Sequence, residues 1–164
     1  NNGKMVKHRI NVQGSPSGFE WIDENGTWKW CFADAEEVIF PGAFTIDVLG
    51  DMGRFIPTIT RDRFTGIIDK REREIFENDL VLDRNYLTLV QYVSNKASFR
   101  LVEVASIHYS QDSERWKPEW VRHKPRNHPW SHQIGPVIGM ARPLIKVGDI
   151  YQEEFENAKK YQIK

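Results

Sequence analysis

Two short runs, Phe19 to Ile22 and Thr27 to Phe32, flank Asp23-Glu24-Asn25-Gly26 and constrain this chain more than any other feature. Asn-Gly supplies the positive φ angles that a tight hairpin needs, so the runs are read as paired antiparallel strands. Trp28, Trp30 and Phe32 then stand at every second position of one strand. Side chains alternate across a strand, so all three share a face and are expected in a core. The same strand-dominated pattern continues elsewhere. Met5 to Val12 reads as extended and Gly14 to Gly18 as a loop. Glu37 to Phe40 turns at Pro41-Gly42 into Phe44 to Leu49, and Phe55 to Thr60 follows a break at Gly50 to Gly53. Tyr86 to Val93 and Ser98 to Tyr109 are β-branched and aromatic runs with a turn at Asn95-Lys96. The spacing predicts one helix, over Gln152 to Tyr161, with Phe155, Ala158 and Tyr161 on one face.

A β scaffold built this way needs apolar material, and the chain has it. Among 164 residues 40% are hydrophobic, including six Trp and nine Phe, too aromatic for a disordered chain. Lys plus Arg and Asp plus Glu both total 23, so formal net charge is zero. A protein that binds nucleic acid through bulk charge carries a positive excess, so that class is disfavoured at the level of the whole chain. Locally the balance differs. Residues 1 to 60 hold five basic and eight acidic side chains, whereas residues 115 to 146 hold seven basic and one acidic. No apolar stretch approaches the length of a membrane span, and no leader is visible at Asn1-Asn2-Gly3-Lys4. The missing initiator Met reads as a chain that begins partway into a longer product. The single cysteine, Cys31, sits in an aromatic run and is expected to be a small buried hydrophobe in a reducing cytoplasm.

The central run Phe64-Thr65-Gly66-Ile67-Ile68-Asp69-Lys70, followed by Glu74-Ile75-Phe76-Glu77-Asn78-Asp79-Leu80-Val81, is a turn followed by a strand start. A glycine in a tight turn and an aspartate capping nearby amides are turn chemistry, so Thr65, Asp69 and Asp79 are read as structural, with Val81 facing inward. This run resembles the central signature of the YopX-like proteins, small chains carried by phages and prophages. Thr65, Gly66, Asp69, Ile75, Phe76, Asp79 and Val81 match that motif. Glu72 and Asn78 stand where glycine is usual in the family. Asn tolerates the left-handed region, and Glu does not, so the turn at Lys70 to Arg73 is expected to take another shape. Val147-Gly148-Asp149-Ile150-Tyr151 is similar to the family's ending, including its Gly148 and Tyr151, with Val137-Ile138-Gly139 a competing alignment. Gly3 to Val6 resembles the family's opening.

The resemblance implies an all-β protein without an established activity. The expected fold is mainly β: an antiparallel sheet region over 1–62, then a Src-homology-3-like small β-barrel over 63–164 with one short C-terminal helix. Within the second part, a Trp-rich basic loop at about 111–134 looks inserted. Trp116, Trp120 and Trp130 interleave there with Arg115, Lys117, Arg122, Lys124 and Arg126. Flat aromatics stack on bases while cations follow a phosphate backbone, which makes Trp116, Trp120, Arg122, Lys124, Arg126 and Trp130 the candidate binding residues. Pro118, Pro125 and Pro129 make the segment extended or looped. The bland alternative is that the Trp residues cover the barrel and the cations solubilise the cover.

His108, His123, His128 and His132 share the same region, but their spacings form no ligand motif and cations surround them, so no metal and no cofactor are expected. No nucleophile elbow, phosphate-binding glycine loop or zinc-protease pair is present in the sequence. The sequence therefore points to a non-enzymatic phage or prophage accessory protein in the bacterial cytoplasm. A phage or host protein is its first expected partner and single-stranded nucleic acid the alternative. Membrane contact is not expected, and self-association through exposed strand edges is.

Overall fold

The computed structural model describes residues 6–35, 38–45, 57–112, 115–127 and 144–149. They are mainly β, in antiparallel sheets of which one is curled into a half-barrel. The chain divides into two compact units, 1–64 and 65–164. The predicted helix over Gln152 to Tyr161 lies outside the described residues.

In the first unit, β1 (Lys7–Val12) pairs with β2 (Ser15–Ile22), β2 with β3 (Trp28–Phe32), and β3 with the two-residue β4 (Phe40–Pro41). β5 (Ile59–Ile68) joins β1 on its other side and runs on into the second unit. The expected loop at Gly14 to Gly18 is instead a hairpin turn of two residues. Gln13 and Gly14 both hold positive φ, 54° and 77°, so Ser15 already starts a strand. Pro16 is tolerated there because the register slips beside it, and a bulge relieves the lost amide.

The next hairpin forms where expected but by different chemistry. Of Asn25-Gly26 only Gly26 has positive φ, at 78°. Asp23 organises the loop by accepting the amides of Asn25 and Thr27 at 3.0 and 2.8 Å.

The aromatic alternation then builds the first unit's core. Trp30 stacks on Phe40, with centroids 4.2 Å apart, and meets Phe44 edge-on at 5.0 Å, beside fully buried Ile10. Each such buried side chain stabilises by about 1.5–3 kcal/mol. Phe32, at the end of the row, is 37% exposed, so that face is not closed at its rim.

Set into this core is a carboxylate. Glu20 accepts from Arg61 Nε at 2.6 Å and from the Phe44 amide at 3.3 Å, and lies 3.0 Å from His8 Nδ1. Burial pushes its carboxyl up, but His8 and Arg61 outweigh that and hold it below its ordinary value. On the other face of the sheet a second polar set is buried: Arg9 reaches Asp62 at 2.6 Å, and Asn11 reaches the same oxygen at 2.9 Å.

In the second unit, the end of β5 neighbours β6 (Glu74–Phe76), and β7 (Asp79–Asp83), β8 (Tyr86–Val93), β9 (Ser98–Asp112), β10 (Arg115–Asn127) and β11 (Ile145–Asp149) form a sheet in the order β10-β9-β8-β7-β11. The meander read from Tyr86 to Tyr109 is β8 and β9, joined by a 3-10 turn at Ser94–Lys96. Both faces of this sheet carry apolar clusters. Val81, Val90, Phe99, Leu101, Ile75 and Leu144 form one, and Leu82, Leu87, Ala105 and Val147 the other. Val81 faces inward with no exposure, as the sequence predicted.

The segment read as a loop at about 111–134 is a strand over 115–127, paired antiparallel with β9. Pro118 and Pro125 do not prevent this because β10 is the outermost of the described strands of this sheet, a position where proline is tolerated.

Candidate functional site: the signature clasp and the basic ribbon

The signature residues converge on a knot of side chains in the second unit. Thr65, at the end of β5, donates to the Ile75 carbonyl at 2.7 Å and accepts the Ile67 amide at 3.2 Å. Gly66 holds φ +81°, letting the strand turn between them. Asp69 Oδ1 accepts the amides of Arg71 and Arg73 at 2.7 and 2.9 Å. Its Oδ2 takes Arg73 Nη2 at 2.6 Å and the Lys146 amide at 3.0 Å. Arg73 also donates to the Lys146 carbonyl, and the Lys70 amide to the Leu144 carbonyl at 3.2 Å.

The outer edge of β11 at 144–146 thus finds its partners in the turn at 69–73. The carboxylate and guanidinium stand where a neighbouring strand would be. Burial alone would raise the Asp69 carboxyl, but the Arg73 side chain and the three amides hold it below its ordinary value.

Asp79 completes the knot from β7. It accepts the Phe76 amide at 2.8 Å and pairs with Lys146 Nζ at 2.9 Å, with no exposure of its own. Lys146 lies 5.7 Å from the ring centroid of Phe76, a cation over an aromatic face. Ile75 and Phe76 are buried. Gly148 lies opposite Leu80 where the register of β11 shifts, and Tyr151 lies outside the described residues.

The turn that Glu72 was expected to alter keeps the shape that glycine would favour. Glu72 holds φ +62°, and Asn78 holds +65°. The competing force is plain: closing this turn makes the Asp69 bonds, which outweigh the strain of one left-handed residue. The sequence reading named Asp69 and Asp79 but missed Arg73 and Lys146. Arg73 had only the signal of a cation four positions after a matched aspartate, and Lys146, 77 positions from Asp69, had none.

The binding candidates lie on β10. Arg122, Lys124 and Arg126 are all exposed, as are Val121 and Pro125 beside them. In register, Trp116 lies opposite Gln111, Trp120 opposite Ile107 and Arg122 opposite Ala105. Between Arg122 and Arg126 the register slips, so Lys124 stands where β10 departs from its partner.

Arg126 is ion-paired. Its guanidinium donates to Glu103 Oε1 at 2.7 Å, and Glu103 has no exposure. That carboxylate raises the Arg126 pKa further. Trp130, His128 and His132 lie outside the described residues. Among the described residues no group of three or more His, Cys, Asp or Glu is placed to hold a metal, and no helix is long and apolar enough to cross a membrane. Compared with protein-family models, curated proteins and solved structures, the chain matches none.

Proposed function

We propose that this chain is a non-enzymatic binding module whose contact surface is the outer strand of the β9–β10 ribbon. The observation that carries this is the exposure of Arg122, Lys124 and Arg126 together on one edge strand. In a chain of zero net charge, that concentrates an attraction for anions on one surface.

The signature knot supports a second part of the proposal, membership of the YopX-like phage and prophage proteins. Three positions where that motif carries glycine, here Gly66, Glu72 and Asn78, all hold positive φ. In this reading the second unit is the family's Src-homology-3-like barrel, closed by a helix over Gln152 to Tyr161, and the protein works in the cytoplasm of a bacterial host. Asp69 and Asp79 are committed to backbone amides and cations, which favours a scaffold role over a catalytic one.

Whether the ribbon is the contact surface is tested with Arg122→Glu/Lys124→Glu in the tagged full chain. Retention of bacterial macromolecules from a low-salt lysate should fall sharply relative to the unaltered chain. Equal retention by both would reject the ribbon.

A further inference from the structure

We propose that the seat of Phe44 in the first unit is a recognition pocket for an aromatic residue of a partner's extended peptide, kept closed by the chain's own segment 42–45. The pocket is independent of the ribbon on β10. β4 ends at Pro41, so Phe44 belongs to no strand, yet its ring is fully buried. Ala43 and Thr45 on either side of it are exposed. A single aromatic anchor between exposed flanks is how a short peptide occupies a surface, with one side chain in a desolvated pocket.

The seat meets both halves of such a residue. The ring enters beside Ile10 and meets Trp30 and Phe32 edge-on, at 5.0 and 6.2 Å between centroids. The backbone is held by side chains. Glu20 Oε2 accepts the Phe44 amide at 3.3 Å, and Arg61 Nη2 donates to the Phe44 carbonyl at 2.5 Å. Arg61 Nε fixes the pair by donating to Glu20 Oε1 at 2.6 Å. A carboxylate and a guanidinium locked together present one acceptor and one donor at a set spacing, which the N–H and C=O of any extended residue satisfy. The slot beside them, lined by rings, then selects an aromatic side chain.

The second unit uses the same device on a strand edge, where Asp69 takes the amide of Lys146 and Arg73 its carbonyl. In the first unit it grips a residue outside every strand, so no ladder bond has to break for Phe44 to be replaced. Phe32 and Arg61 are both exposed at the rim, one beside the slot and one in the clamp, which leaves an incoming chain access to each.

The test is a fluorine NMR titration of the full chain with a blocked pentapeptide, Pro-Gly-Ala-Phe-Thr, that copies 41–45 and carries a ring fluorine. In the unaltered chain the tethered segment competes at an effective concentration on the order of a millimolar. Phe44→Ala removes that competitor, so the variant should bind the peptide at least about tenfold more tightly than the unaltered chain. Phe44→Leu leaves an apolar side chain in the seat and should fall between the two; it decides the matter if circular dichroism shows Phe44→Ala unfolded. An N-methyl group on the peptide's aromatic residue removes the donor to Glu20 and should weaken binding by about tenfold or more. Alanine in place of that residue should abolish binding. Equal binding by all three chains puts the peptide elsewhere and overturns the pocket, as does no binding to a folded variant. Tighter binding that ignores the N-methyl group overturns the backbone clamp.

Discussion

Glu72 is one of five described non-glycine residues held at positive φ. A left-handed residue with a Cβ is strained by about 1–2 kcal/mol, while glycine gives back about 0.5–1 through its freer unfolded chain. Glu72→Gly should therefore raise the unfolding free energy by about 0.5–1 kcal/mol, seen as a higher denaturant midpoint at unchanged slope. A lower midpoint would mean that the Glu72 side chain makes a stabilising contact worth more than its strain.

Gly18 lies at the opposite extreme. A Cβ there would sit 2.3 Å from the Cys31 carbonyl oxygen, backbone that cannot swing aside. Gly18→Ala should cost about 1–3 kcal/mol through forced separation of β2 and β3, and a thermal melt indistinguishable from the unaltered chain would contradict that. Neither residue's geometry was legible in the sequence. Glu72 was readable only as a mismatch to glycine, and Gly18 looked like one more loop glycine, because close approach between strands is a property of register.

At the scale of elements, alternation was the readable signal and edges were not. β3, β8 and β9 follow from period-two patterns, since one-residue slips would turn whole faces to water. β10 was read as extended or looped because its prolines argue against a helix, and only the sheet order shows it to be the outermost described strand.

β11 was legible only through a resemblance to a known family's ending, yet its partner on one side is a turn held by Asp69. Arg73 is partly exposed, so what Asp69→Ala loses is chiefly the acceptor of three backbone amides, and it should cost about 1–3 kcal/mol. Amide exchange at Lys70 and Lys146 should quicken beyond the change in global stability. Protection that falls equally everywhere would show that the turn does not act locally on β11.

For the whole molecule, the two units share an electrostatic habit. Glu20 in the first and Asp69 in the second are both held below their ordinary values, 4.5 and 3.8 respectively. A carboxylate depressed in the folded state adds stability that is complete above its ordinary value and is lost as pH falls through the lowered one. Denaturant midpoints should accordingly be insensitive to these groups from neutrality to about pH 5. They should fall steeply below pH 4.5, with Asp69→Asn flattening part of the decline. A stability that rises on acidification from pH 5 would contradict both assignments. Zero net charge was legible at this scale, and it averages an acidic beginning with a basic ribbon.

The carboxylate and guanidinium that fill in for a strand beside β11 also bear on solubility. Without them, the bare amides and carbonyls of 144–146 become a docking template for any other polypeptide segment, including the same segment of another molecule. Loss of one acidic side chain would then matter less as a weakened fold than as a seed, and Asp69→Ala preparations should cloud at concentrations where the parent chain stays clear.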